Sequence, residues 1–189
     1  HAVVREAAYA MLTDADRAAG HRLAGTWLAA ARSTDALTLA EHFERGGAKV
    51  EAGANYLRAA QQALLGGDVA GVLDLCSRAR RCAPETGAAE RARLEAEAHL
   101  WRADFALAER AAEACVAASN PAESAWWSAG ATLVVSCLRR EARDRMLDVY
   151  AAMRAAPFES TVAPVRLFAA SRVAVHLCAA GFFPEADLL

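Results

Sequence analysis

The chain has 189 residues, enough for one domain with a sizeable core, and 56% of them are hydrophobic. Its formal net charge of −2 gives no overall attraction for nucleic acid or for an anionic membrane. No uninterrupted apolar run reaches the roughly 18 residues that span a bilayer, so we expect no membrane partner. The five cysteines show no C-x-x-C spacing, which predicts reduced, buried thiols in a cytoplasmic protein.

Helical spacing of apolar residues begins with the first segment, "HAVVREAAYAML". Thr13 or Asp14 is the predicted N-cap of a second helix over about 15–32. The segment "STDAL" at 33–37 predicts the start of a helix over about 36–45, which the pair Gly46-Gly47 ends. Strand and hairpin signals are nearly absent, so the predicted fold class is all-α.

A helix-turn-helix pattern recurs in the rest of the chain. Asp68 and Asp104 each follow a small residue at a predicted turn, 36 residues apart, and alanine-rich helices precede both turns. Repeats are predicted at about 52–86, 89–121, 125–157 and 165–189, the last truncated after its turn at Gly181. A single hairpin cannot cover its own apolar face, so copies stack. This predicts an α-solenoid of stacked antiparallel helix hairpins, with an alanine-rich helical bundle as the alternative.

The first repeat resembles a tetratricopeptide repeat. Its turn is Gly67-Asp68, and the signature positions around that turn hold Tyr56, Ala59, Ala60, Ala63, Val72, Cys76, Ala79 and Pro84. The resemblance implies a right-handed solenoid. Val72 stands where the family usually has a small residue and the later copies are longer, so a related helical repeat remains an alternative.

The N-terminal third resembles a particular junction in bacterial STAND-type signalling ATPases. The segments that carry this likeness are "HAVVREAAYAML", "DRAAGHRLAGTWL", "LAEHFERGG" and "AGANYLRAA". In those ATPases, helices after the nucleotide-binding core lead into tetratricopeptide repeats, and the likeness is greatest to ATPases fused to serine/threonine protein kinases. The resemblance implies that residues 1–48 join an upstream ATPase core to repeats at 49–189, and that catalysis lies outside this chain.

Catalytic signatures are missing from the sequence. It contains no G-x-x-x-x-G-K-[ST], H-R-D or D-F-G motif, and Lys49 lacks the setting of a P-loop lysine. His42 is interpreted as a helix-packing residue, and His176 and Cys178 lie two apart on a helix, where they cannot share a metal ion. The arginine clusters at 78–84 and 139–145 are interpreted as solvated faces, with Glu141 and Arg145 paired. We expect no cofactor, no metal and no nucleic-acid partner.

The expected function is a non-catalytic interaction or sensor module that binds a peptide, a protein or another domain of the same polypeptide. In tetratricopeptide register, the first helices would line a groove with Leu57, Gln61, Leu64, Arg93, Glu97, Leu100, Ala131, Val135 and Leu138. One tryptophan of the pair Trp126-Trp127 is expected in the core and the other as an interface anchor. The chain is expected to end inside a repeat, leaving Phe182, Phe183, Leu188 and Leu189 uncovered. The alternative function is a fragment of a serine/threonine kinase or ATPase whose catalytic domains lie elsewhere.

Overall fold

The computed structural model describes residues 2–31 and 35–187, and every regular element in these ranges is a helix. The predicted all-α class is therefore confirmed. The helices form two compact units, residues 1–87 and residues 88–189. The predicted boundary after residue 48 separates a joining region from the repeats, whereas the first compact unit ends at residue 87. The two divisions describe different properties, so the boundary after residue 48 stays a prediction.

The described residues of the first unit form five helices, and N-cap side chains stabilise the starts of three of them. They are α1 (Ala2–Ala10), α2 (Asp14–Ala30), α3 (Ala36–Arg45), α4 (Lys49–Leu65) and α5 (Val69–Cys82). The Thr13 side chain accepts a hydrogen bond from the Asp16 amide at 3.1 Å, and this caps α2. Asp35 caps α3 through the Thr38 amide at 3.0 Å. Ser33 and Thr34 of the predicted capping segment lie outside the described residues.

Consecutive helices of the first unit pack on each other from α2 to α5. Leu39, Tyr56 and Val72 are almost completely buried between them. Ala60 of α4, one of the tetratricopeptide signature positions, is also fully buried. By contrast, Trp27 of α2 is 69% exposed. The spacing of apolar residues is therefore consistent with a helix here, but it does not show which side chains of α2 are buried.

A polar cluster joins α3, α4 and α5. The Tyr56 hydroxyl of α4 donates a hydrogen bond to Glu44 Oε2 of α3 at 2.5 Å. Arg78 of α5 donates to that hydroxyl, forms an ion pair with Glu44 at 3.3 Å and lies 4.3 Å from the centre of the Tyr56 ring. Burial, followed by the hydrogen bond to Glu44, raises the pKa of Tyr56 well above its usual value. The phenol therefore stays protonated and keeps the three helices connected.

The second unit is built around α8, which packs against four other helices. Its elements are α6 (Ala88–Trp101), α7 (Phe105–Ala117), α8 (Ser124–Arg139), α9 (Arg143–Ala155), a 3-10 helix (Ser160–Val162), α10 (Ala163–Ala179) and α11 (Phe183–Ala186). α6, α7, α9 and α10 all contact α8. Residues 129–137 are buried throughout because α8 is covered on every side.

The turns between helices share one backbone conformation. Residues 67, 103, 141 and 181 all have positive φ angles, between 59° and 84°. At each turn the amide of the next residue donates to a carbonyl five residues earlier at 2.9 Å, for example Asp68 to Ala63 and Asp104 to His99. This is the hydrogen bond that closes a helix C-terminus with a left-handed residue. The predicted alignment of Gly67 with Gly181 is thus matched by identical turn geometry.

Both tryptophans at the start of α8 are buried, so the expectation that one is an interface anchor is wrong. Trp126 is 9% exposed and Trp127 is 2% exposed. Their ring centres lie 5.0 Å apart in an edge-on arrangement, and Trp127 Nε1 donates to the Pro121 carbonyl at 2.8 Å. The physical reason is the central position of α8, which leaves little of either ring exposed. The exposed tryptophans are Trp27 and Trp101.

Three further expectations are corrected by the structure of the second unit. Arg145 forms its ion pair with Glu113 of α7 at 2.5 Å, not with Glu141, because Glu141 lies in the left-handed turn before α9 begins. All five cysteines are free and four are buried, but Cys178 is exposed on the side of α10 that faces solvent. Phe183 is exposed as expected, whereas Phe182 is partly buried beneath Arg143. Leu188 and Leu189 lie outside the described residues.

Candidate functional site

Side chains of α6 and α10 border a cavity of about 330 Å³ in the second unit. We call this surface the α6–α10 groove, lined by Glu97, Leu100, Trp101, Phe168, Arg172 and His176. The last three lie four residues apart, which places them on one face of α10. Since α6 and α10 both pack on α8, the fold brings together two segments that are far apart in sequence.

The floor of the α6–α10 groove carries an ion pair between its two sides. Arg172 Nη1 donates to Glu97 Oε1 at 3.0 Å and to Oε2 at 3.1 Å, and the Thr132 hydroxyl of α8 donates to Oε2 at 2.9 Å. The side chains of Glu97 and Arg172 are only 20% and 18% exposed. Hydrogen bonds between charged groups are stronger than neutral ones. This network therefore fixes the positions of both charged groups.

Two aromatic rings project from the sides of the groove. Trp101 of α6 is 72% exposed and Phe168 of α10 is 68% exposed. Large aromatic side chains that remain exposed are typical anchors of protein interfaces, because they bury much apolar area at small entropic cost. The groove thus offers apolar walls above a polar floor.

A second cavity of about 260 Å³ adjoins the first through His176. Its other lining residues are Leu138, Arg139, Ala179 and Ala180. Burial lowers the pKa of His176, and the charges of Arg172 and Arg139 lower it further. The imidazole is therefore neutral at neutral pH, and since Arg172 is paired with Glu97, the positive charge at this end of the groove comes from Arg139.

The groove residues predicted from sequence fall into both units. In the second unit, Glu97 and Leu100 line the first cavity and Leu138 lines the second. Arg93 forms an ion pair with Glu90 at 2.6 Å, while Ala131 and Val135 are buried. In the first unit, Leu57 is buried at 7% exposure and packs near Gly87, Leu64 is half-buried and Gln61 is exposed.

Sequence reasoning missed the α10 side of the groove. Phe168, Arg172 and His176 recur at intervals of four residues, and this spacing alone indicates a shared helix face. The last predicted repeat was treated as a truncated copy, so its first helix was not assigned to the groove. Trp101 was missed because it lies one residue beyond the predicted position Leu100.

Within residues 2–31 and 35–187, no three His, Cys, Asp or Glu side chains converge as metal ligands would. His42 Nδ1 lies 3.0 Å from His21 Nδ1, so this histidine is hydrogen-bonded between α2 and α3. Burial raises the pKa of the Cys137 thiol to about 11, which keeps it protonated and unreactive at neutral pH.

One helical segment, Ser160–Ala179, is long and apolar enough to cross a membrane by length and composition alone. A single segment of this kind is weak evidence, since core helices of other proteins meet the same criterion. Within the second unit its Arg172 is paired with Glu97 and its Val173 and Leu177 are buried against other helices. The expected absence of a membrane partner stays a prediction.

Comparison of the chain with protein-family models, with curated proteins and with solved structures finds no match.

Proposed function

We propose that the chain is a non-catalytic helical-repeat module that binds a peptide or protein segment in the α6–α10 groove. In this proposal the hairpins form a right-handed solenoid that resembles tetratricopeptide repeats. Two features support it: α8 packs on both α6 and α10, and the same left-handed turn recurs between helices. Contact between successive first helices is what a stack of such hairpins requires.

The exposed pair Trp101 and Phe168 carries the proposal. These rings stand on opposite sides of a cavity whose floor holds the paired charges of Glu97 and Arg172. Apolar side chains of a bound segment would pack against the rings, and its backbone polar groups would meet the polar floor. The groove contains no arrangement of a nucleophile and a base, so binding is the function that its geometry supports best.

Peptide selection with matched tryptophan variants tests this proposal. Peptides are selected from a displayed random library against the chain, and their affinities are measured for the wild type, Trp101→Ala and Trp27→Ala. The two tryptophans are almost equally exposed, at 72% and 69%, but only Trp101 lines the groove. Loss of an interface anchor costs about 2 kcal/mol or more, or about 30-fold in affinity, so Trp101→Ala should lose at least that much. Equal affinities for the three proteins would refute the proposal.

The parent protein is proposed to be a bacterial STAND-type ATPase of the cytoplasm, fused to a serine/threonine kinase. This rests on the resemblance of residues 1–48 and the following helix to the junction in such ATPases. The test is the coding sequence upstream of His1. A P-loop preceded by kinase motifs would support the parent, and an upstream reading frame with neither would contradict it. In calorimetry, the chain alone should bind no Mg-ATP, because it lacks a phosphate-cradling loop.

A further inference from the structure

A third cavity, of about 420 Å³, opens among α7, α8 and α9. We call it the α7–α9 cavity, and the function proposed above does not use it. It is lined by Glu113, Val116, Ala117, Trp126, Gly130, Leu133, Arg145, Asp148, Val149, Ala152 and Met153. Its volume lies within the range of about 300–1,000 Å³ that is typical of small-molecule sites.

The depth of the α7–α9 cavity is apolar. Trp126, Leu133 and Met153 are at most 9% exposed and form its base. Gly130 shapes this base, because a side chain there would lie 3.0 Å from Met153 Sδ. A thioether beside an indole gives a polarizable surface that favours aromatic groups. The base therefore suits an aromatic or branched hydrocarbon group.

The rim of the α7–α9 cavity is acidic. Glu113 and Arg145 neutralise each other in an ion pair of 2.5 Å between α7 and α9. Asp148, one turn after Arg145, adds a carboxylate and is exposed. Two carboxylates and one guanidinium leave one net negative charge above an apolar base. This complements a molecule with a hydrocarbon body and a cationic end.

We propose that the α7–α9 cavity binds a small amphipathic amine. The hydrocarbon part packs on Trp126, Leu133 and Met153, while the ammonium group lies at the rim near Asp148. An ion pair with an exposed carboxylate is worth about 0.2–1 kcal/mol, so charge sets selectivity and the apolar base supplies most of the affinity.

Three probes with one hydrocarbon skeleton test the charge preference. They are 4-phenylbutylamine, 4-phenylbutan-1-ol and 4-phenylbutyrate, each titrated into the chain by calorimetry. The amine should bind about 1.4- to fivefold more tightly than the alcohol, and the acid more weakly than the alcohol. Binding of the acid as tight as that of the amine, or saturable binding by none of the three, overturns the proposal.

Matched variants on α9 locate the binding. Ala152→Leu narrows the cavity and should weaken amine binding, whereas Ala151→Leu, at a neighbouring exposed position outside the lining, should leave it unchanged. Asp148→Asn should bring the amine to the affinity of the alcohol, and Asp144→Asn, one turn earlier and outside the lining, should not. Circular dichroism confirms folding of each variant. Equal amine binding by Ala152→Leu and Ala151→Leu would place the amine elsewhere and refute the assignment.

Discussion

Replacing Gly67 or Gly20 by Ala is expected to change the free energy of unfolding of the first unit in opposite directions. Gly67 has a φ of +78°, and among the described residues no atom lies within 4 Å of an added Cβ, so Ala there meets only backbone strain. A left-handed conformation costs an L-residue about 1–2 kcal/mol, partly offset by about 0.4–1 kcal/mol from the stiffer unfolded chain. We expect Gly67→Ala to lower the free energy of unfolding by about 1 kcal/mol.

Gly20 lies in the interior of α2, and no described atom lies within 4 Å of an added Cβ. Gly inside a helix is less favourable than Ala by about 0.5–1 kcal/mol, so Gly20→Ala should stabilise the unit by that amount. Urea unfolding followed by circular dichroism measures both variants in the same transition, because both residues belong to the unit of residues 1–87. If Gly67→Ala gains stability as Gly20→Ala is expected to, the left-handed turn at residue 67 is refuted.

Three further predictions concern a turn, a helix crossing and a pH response. Glu141→Gly should raise the stability of the second unit by about 0.5–1 kcal/mol in thermal unfolding, because Glu141 has a φ of 60°. Ala60→Leu should lower the free energy of unfolding by about 1–3 kcal/mol, and Ala151→Leu, at an exposed position, by less than about 0.5 kcal/mol. A larger fall in the urea midpoint for Ala151→Leu than for Ala60→Leu would contradict the close packing around Ala60. Burial and the nearby charges of His42 and Arg45 lower the pKa of His21 in the folded chain below its usual value of 6.5. His21 therefore binds a proton more readily in the unfolded chain, so the free energy of unfolding should fall as the pH drops below 6.5. His21→Gln should flatten this acid loss, and an unchanged pH slope would count against it.

Local signals made the helices and most turns predictable. Thr13 and Asp35 cap their helices as expected, since a side-chain oxygen at an N-cap acts on amides only two or three residues away. Gly67 and Gly181 mark left-handed turns because glycine adopts positive φ without steric cost. Glu141 has the same left-handed conformation although it is not a glycine. The residue type therefore did not indicate this turn, and only the spacing of the repeats predicted a turn nearby.

Only the α6 side of the α6–α10 groove could be predicted, because the exposure of a residue depends on which other helices cover it. Periodicity identified Glu97 and Leu100 on a face of α6, but it did not show that α10 would lie opposite. Trp101 at the end of α6 is exposed, whereas Trp127 near the start of α8 is buried. That difference arises from the contacts of α8 with four other helices, which no local pattern records.

The ion pair between Glu97 and Arg172 has a consequence for how the second unit unfolds. In an ideal linear repeat protein each repeat contacts only its immediate neighbours, so end repeats can fray separately. Here Glu97 of α6 reaches Arg172 of α10, across 75 residues of sequence, and Thr132 of α8 shares the same carboxylate. Opening α10 alone would leave a partly buried glutamate without its cation, which is costly. The network therefore couples α6, α8 and α10 and favours unfolding of the second unit as one cooperative block instead of helix by helix.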